Sequence, residues 1–199
     1  MNGKTPRGVL AAAGMLASVA LFGRAAEPAR DQQAAIAAVQ KFGGKLTLEV
    51  SAVDLHGAKA TDADLENLKR FPRLQRLDLG QTRVTDAGLR HLASLTELQN
   101  LSLNGTRVTD DGMISLQGLT RLRSLDLGRT KVTEDGLENL QTIPNLESLD
   151  LTATPVTDDA METFEAMTNL KVLNLRGTKM TGAQVRDLRK TLPNCKILY

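Results

Sequence analysis

Residues 74–97 read LQRLDLGQTRVTDAGLRHLASLTE, and this stretch decides the fold. Leu74, Leu77 and Leu79 open it with a spacing that ends in alternation, the period-two mark of a short strand with one buried face. Leu89, Leu92 and Leu95 close it at intervals of three, the spacing of one helical face. Between them Thr85 and Asp86 form a helix start, in which the hydroxyl caps the first turn and the carboxylate lies toward the positive end of the helix dipole. Strand, turn and helix therefore fit within 24 residues.

The pattern recurs at that period in both directions. Repeats start at Val50, Leu74, Leu98, Leu122, Leu146 and Leu170 and run to residue 194. Counting from each start, position 4 is Val53, Leu77, Leu101, Leu125, Leu149 and Leu173, and position 6 is Leu55, Leu79, Leu103, Leu127, Leu151 and Leu175. Position 9 is Thr82, Thr106, Thr130, Thr154 and Thr178 in the last five repeats, a short hydroxyl suited to backbone groups without ladder partners. Position 15 is small in four repeats (Gly88, Gly112, Gly136, Ala160), which lets the first helical turn approach its neighbour closely. A fixed period of this length is the signature of stacked coils that share one interior.

The run L-x-x-L-x-L-x-x-N/C-x-L, here with Thr in the Asn/Cys place and continued by TDxGL, resembles the leucine-rich-repeat family, in particular a shortened form of its cysteine-containing subclass. The threonine-type repeat is also similar to those of exported, internalin-like bacterial proteins. The resemblance implies an α/β solenoid of right-handed coils, with a parallel sheet on the concave face and helices on the convex face. It further implies protein–protein recognition as the commonest use, although a fold does not by itself fix a function.

The chain outside the repeats reads as a leader and two caps. Lys4 and Arg7 precede an apolar run from Val9 to Phe22, and the small residues near Ala25 complete the layout of an export signal over 1–25. That run falls short of the roughly 20 apolar residues of a membrane span. Residues 26–49 carry Ala35, Ile36, Val39 and Phe42 at helical spacing, followed by Gly43-Gly44 and an extended segment, and read as an N-terminal cap. Residues 195–199 are expected to close the other end, with the lone Cys195 as a small buried hydrophobe and a reactive thiol as the alternative. Phe42, Phe71 and Phe164 fall at positions expected to be buried.

Composition removes several classes of function. Loss of Lys4, Arg7 and Arg24 with the leader would leave 22 basic against 23 acidic residues, so the apparent pI of 8.8 gives no footprint for nucleic acid. A single cysteine allows no intrachain disulfide. His56 and His91 are the only histidines, on different expected faces and without a nucleophile motif, so no catalytic residue, metal site or cofactor is assigned. With aromatic residues at 3% of the chain, sugar recognition lacks its usual platforms, and a protein interface lacks most of its usual anchors.

Two charged columns remain as candidate binding residues. Position 5 reads Asp54, Asp78, Ser102, Asp126, Asp150 and Asn174, pointing to the concave surface. At about 4.8 Å between strands, neighbouring carboxylates would repel by roughly 1 to 4 kcal/mol. Arg76, Arg123 and Arg129 are the expected offset. Position 10 supplies a basic row, Lys59, Arg83, Arg107, Lys131 and Lys179, broken by Pro155. The two columns are either the solvated surface of a repeated turn or a dipolar strip for a partner of opposite striping, with calcium on the acidic column as a further alternative. The expectation is a monomeric, non-enzymatic binding scaffold, secreted or periplasmic, with a protein partner and no membrane span in the mature chain. A structural or adhesive envelope component and an F-box-like effector adaptor are the other readings.

Overall fold

A computed structural model describes residue 41, residues 45–46 and residues 51–199. The leader over 1–25 and the capping helix read from residues 26–42 lie outside the described residues, apart from residue 41. Eight strands form one sheet in chain order: β1 Lys45–Leu46, β2 Ala52–Asp54, β3 Arg76–Asp78, β4 Asn100–Ser102, β5 Ser124–Asp126, β6 Ser148–Asp150, β7 Val172–Asn174 and β8 Lys196–Leu198. β1 pairs antiparallel with β2, and β2 to β8 are mutually parallel. The Cα partners Val53, Leu77, Leu101, Leu125, Leu149 and Leu173 stand in one row, so the sequence period has become the strand register.

The parallel strands span only three residues because one inward side chain per strand suffices to anchor a coil. Leu77 is 2% exposed while Arg76 and Asp78 turn outward, and Leu79 at the next buried position has no exposure at all. The interior is a continuous aliphatic column from Val53 to Ile197, interrupted by two aromatic rings, Phe71 and Phe164.

The convex side differs from the single helix expected in each coil. Residues Asp62–Arg70 form a 3₁₀ helix, and Asp86–Leu89 and Asp110–Met113 are single α turns that tighten into 3₁₀ segments at Arg90–Leu92 and Ile114–Leu116. Only later coils hold longer α segments, Glu134–Leu140, Met161–Ala166 and Gly182–Thr191. The apolar spacing is compatible with both forms: Leu89, Leu92 and Leu95 recur at intervals of three, which a 3₁₀ helix stacks directly, and Leu137, Leu140 and Ile143 keep the same spacing where the segment is α.

Hydroxyls and carboxylates close the turns. The position-9 threonines Thr82, Thr106, Thr130 and Thr154 are buried and Thr178 is half-buried, and each hydroxyl donates to the carbonyl of the position-6 leucine in its own coil, at 2.6–2.8 Å. The acid at position 13 has a larger role than the helix-dipole partner read from sequence. Asp62 accepts from both the backbone N–H and the hydroxyl of Thr85 in the next coil, each at 2.7 Å, and Asp86 holds Thr109 and Asp110 holds Thr133 in the same way. Thr85 and Thr133 meanwhile accept from Ala87 and Asp135 N–H, so each caps its own helix while tied to the coil before it.

This inter-coil carboxylate explains the small residue at position 15. A Cβ on Gly88 would overlap Asp62 Oδ1, and one on Gly112 would overlap Asp86 Oδ1. In the fourth repeat the acid is the longer Glu134, its bond to Thr157 N–H of the fifth lengthens to 3.4 Å, and the facing residue is Ala160, fully buried. Replacing Gly88 with Ala is expected to destabilise the protein by about 1–3 kcal/mol in urea unfolding. Made beside Asp62→Glu, the same change should cost less by about 1 kcal/mol. Equal costs in both backgrounds would show that the carboxylate is not the obstruction.

At the C-terminal end β8 extends the sheet, Ile197 faces the interior, and the Tyr199 hydroxyl donates to the Met180 carbonyl at 2.9 Å. Cys195 is buried beneath this edge, and desolvation pushes its thiol pKa up. Labelling of Cys195 by a thiol reagent at neutral pH is therefore expected to be slow in the native protein and rapid in urea; rapid stoichiometric labelling of the native protein would place the thiol at the surface instead.

Candidate binding surface

The acidic column is assembled by the sheet register: Asp54, Asp78, Ser102, Asp126, Asp150 and Asn174 are successive Cα partners at the ends of β2 to β7. Each acid also performs a local task that the pattern alone did not disclose. Oδ1 of Asp54, Asp78, Asp126 and Asp150 accepts the backbone N–H two residues on, from His56, Gly80, Gly128 and Thr152, at 2.8–2.9 Å. Asn174 does the same with Arg176 N–H at 3.3 Å. This is an Asx turn, which reverses the chain at the strand end. It leads into a left-handed residue at position 8 of every coil, with φ between 55° and 70° at Gly57, Gln81, Gly105, Arg129, Ala153 and Gly177.

The expected relief of the column by Arg76, Arg123 and Arg129 is not what the structure shows. Neutral amides and an imidazole lie against it: Asn104 donates to Asp126 at 3.2 Å, Asn174 donates to Asp150 at 2.8 Å, and His56 Nδ1 stands 3.6 Å from Asp78. Arg123 is held elsewhere, sharing Glu147 with Lys171 at 3.2 and 2.9 Å. The hydrogen bond from Lys171, aided by its charge and that of Arg123, holds the Glu147 carboxyl below its usual range. The reason is positional: Arg123 sits where the chain enters the strand, whereas the column sits where it leaves, and Arg129 is carried outward by its left-handed turn. His56 and Asn104 were the residues that sequence reasoning missed. A signal existed in the glycines of the following coils, since a Cβ on Gly80 would meet His56 and one on Gly128 would meet Asn104, both at 2.6 Å.

The basic row is equally well ordered. Arg83, Arg107, Lys131 and Lys179 each donate a backbone N–H to a carbonyl of the preceding coil, at Ala60, Val84, Val108 and Val156, at 2.9–3.2 Å. Their side chains and that of Lys59 are exposed. His91 lies on the convex face, away from His56, and among the described residues no three carboxylate, imidazole or thiol groups converge to hold a metal ion.

Between column and strand entry the concave face opens into a shallow groove of about 470 Å³ over β2 to β5, floored by Ala52, Val53, Leu77, Leu101 and Ser124. It exists because position 3, which faces outward beside the column, is short at Ala52 and Ser124, and the groove is flanked by Arg76, Asn100 and the acids.

The parallel ladder, the buried leucine row and the threonine turns together make one stack of repeated coils. A leucine rich repeat family model matches residues 96–156. The solved structure of internalin C2 from Listeria monocytogenes superposes with a TM-score of 0.55 at 20% sequence identity, covering 82% of this chain and 81% of that one. No curated protein sequence matches this chain significantly. The α/β solenoid implied by the repeats is thus the fold of this chain, and among its described residues no helix is long and apolar enough to cross a membrane.

For the column, geometry separates turn-making from charge. Asp126→Asn keeps an acceptor for Gly128 N–H, as Asn174 does in its own coil, and should leave stability within about 0.5 kcal/mol of the parent. Asp126→Ala strands that N–H and the Asn104 amide, and should cost about 1–2 kcal/mol in urea unfolding. Similar losses for both substitutions would mean that the negative charge, not the turn, is what Asp126 contributes.

Proposed function

We propose that this protein is an exported, non-enzymatic leucine-rich-repeat scaffold that holds another protein against its concave face and the adjoining rim. The observation that carries the reading is the open concave surface: seven parallel strands present positions 3 and 5 outward, and no other described element covers them. The likeness to internalin C2 supports the fold on which this reading stands. Export rests on the layout of Lys4, Arg7 and the apolar run Val9–Phe22.

Size decides how the surface must be used. Seven parallel strands at about 4.8 Å span about 29 Å, and three residues per strand give a width of about 10 Å. The resulting patch of about 300 Å² is well below the roughly 800 Å² per partner of a standard interface. Partner contact therefore extends from the strands over the turn that follows them. With a single Tyr and no Trp in the chain, aromatic anchors are scarce, and modest affinity is expected.

The test compares capture of proteins from envelope and secreted fractions by the full chain and by a Ser124→Arg, Ser148→Arg variant of matched melting temperature. Both serines sit at position 3 on the concave face, where a long cation blocks the surface without entering the core. Capture by the native protein alone is the expected result. Equal capture by both would move the interface off the concave face, and no capture by either would leave a passive structural role.

A further inference from the structure

The turns that follow the strands, residues 56–60, 80–84, 104–108, 128–132, 152–156 and 176–180, together contain seven cations and not one Asp or Glu. The seven are Lys59, Arg83, Arg107, Arg129, Lys131, Arg176 and Lys179, and all are exposed. Among the described residues none of these side chains forms an ion pair or hydrogen bond. The ion pairs Arg121–Glu97, Glu147 with Arg123 and Lys171, Lys69–Glu66 and Lys190–Asp187 lie outside these turns.

The acids that flank the rim form no ion pair with its cations; their carboxylates accept from backbone donors instead. On the strand side, Asp54, Asp78, Asp126 and Asp150 hold their own turns. On the helix side, Asp62, Asp86, Asp110 and Asp158 hold the next coil. The backbone of the rim offers nothing to an anion either. The N–H groups of Gln81, Thr82 and Arg83 donate to Asn104, Leu79 and Ala60 carbonyls, and the next two coils repeat the arrangement at 105–107 and 129–131. Recognition along this edge therefore falls to the cationic side chains.

We infer that the rim is a docking strip for an extended acidic segment of a protein partner, laid across the coils. The inference rests on the reading of the chain as a protein-binding scaffold and assigns the chemistry of the bound segment. The row repeats at the inter-strand spacing of about 4.8 Å, so from Lys59 to Lys179 it covers about 24 Å, the length of about seven residues of extended chain. Carboxylates on one side of such a chain recur every second residue, and the long Lys and Arg arms absorb the difference in pitch. The six turns contain no aromatic side chain, which removes the stacking platforms that single-stranded nucleic acids use. Because the charges are exposed, the contact is salt-sensitive and acts chiefly on encounter and orientation.

The experiment titrates a fluorescent peptide of about twelve residues, alternating Glu and Ser, with the full chain, following anisotropy at low and at physiological ionic strength. Saturable binding is expected, weakened about fivefold or more by the added salt. An Arg83→Ala, Arg107→Ala, Lys131→Ala variant of unchanged melting temperature should lose about tenfold in affinity, while Lys69→Ala, Lys190→Ala, which removes two cations outside the rim, should lose less than about twofold. Absence of binding, or equal losses in the two variants, overturns the inference. So does tighter binding, through the same three residues, of a single-stranded oligonucleotide or an anionic polysaccharide of equal charge. Failure here, with capture of a partner still blocked by Ser124→Arg, Ser148→Arg, removes the strip and leaves the scaffold reading standing. Absence of any captured protein, or equal capture by the native chain and the Ser124→Arg, Ser148→Arg variant, with peptide binding intact removes the concave-face scaffold reading instead.

Discussion

Each coil of this protein must offer the next one an edge whose hydrogen-bonding groups match in register, because no coil can bury its own leucines alone. The match is made at three levels of the same 24-residue turn. Strand ladders join positions 3 to 5, carbonyls along the rim join consecutive turns, and carboxylates such as Asp86 join the helix start of one coil to that of the next. A shift of one residue in any coil would break all three together. The leucine row from Leu77 to Leu173 stays dry only while that register holds.

The consequences spread outward from this stacking. Carboxylate staples fill the space in which a position-15 side chain would sit, so glycine follows from the staple and not from helix preference. Asx turns fix where the strands end, which in turn places the left-handed residue at position 8. Gln81, Arg129 and Ala153 adopt that conformation without being glycine, each at a cost of about 1 kcal/mol that the surrounding hydrogen bonds offset. Charge is sorted by the same geometry: acids on either side of the rim are held by backbone donors, and the cations between them point into solvent.

Much of this was legible in the sequence. The period, the buried leucines, the threonine turns, Phe71 and Phe164 in the core, and the two charged columns all follow from periodicity, because a solenoid maps sequence position directly onto place in the coil. The 3₁₀ character of the early coils was not legible, since the three-residue apolar spacing is the same in coils whose convex segment is α. The offset of the acidic column was not legible. Arg76, Arg123 and Arg129 are close to it in sequence, while the groups that meet it, His56 and Asn104, act from the preceding coil and Asn174 from the following one.

Sequence by itself determined which residues share a column, because a constant repeat length leaves only one register in which every leucine is covered. It also determined which columns carry charge. Tertiary structure decided what those charges do. Only the stacked coils show that each acid has a backbone donor within reach and that the rim cations have none, and that difference depends on distances between residues about one repeat apart in the chain. Hydrogen bonds between coils are set by the rise from one coil to the next, a quantity no single repeat contains.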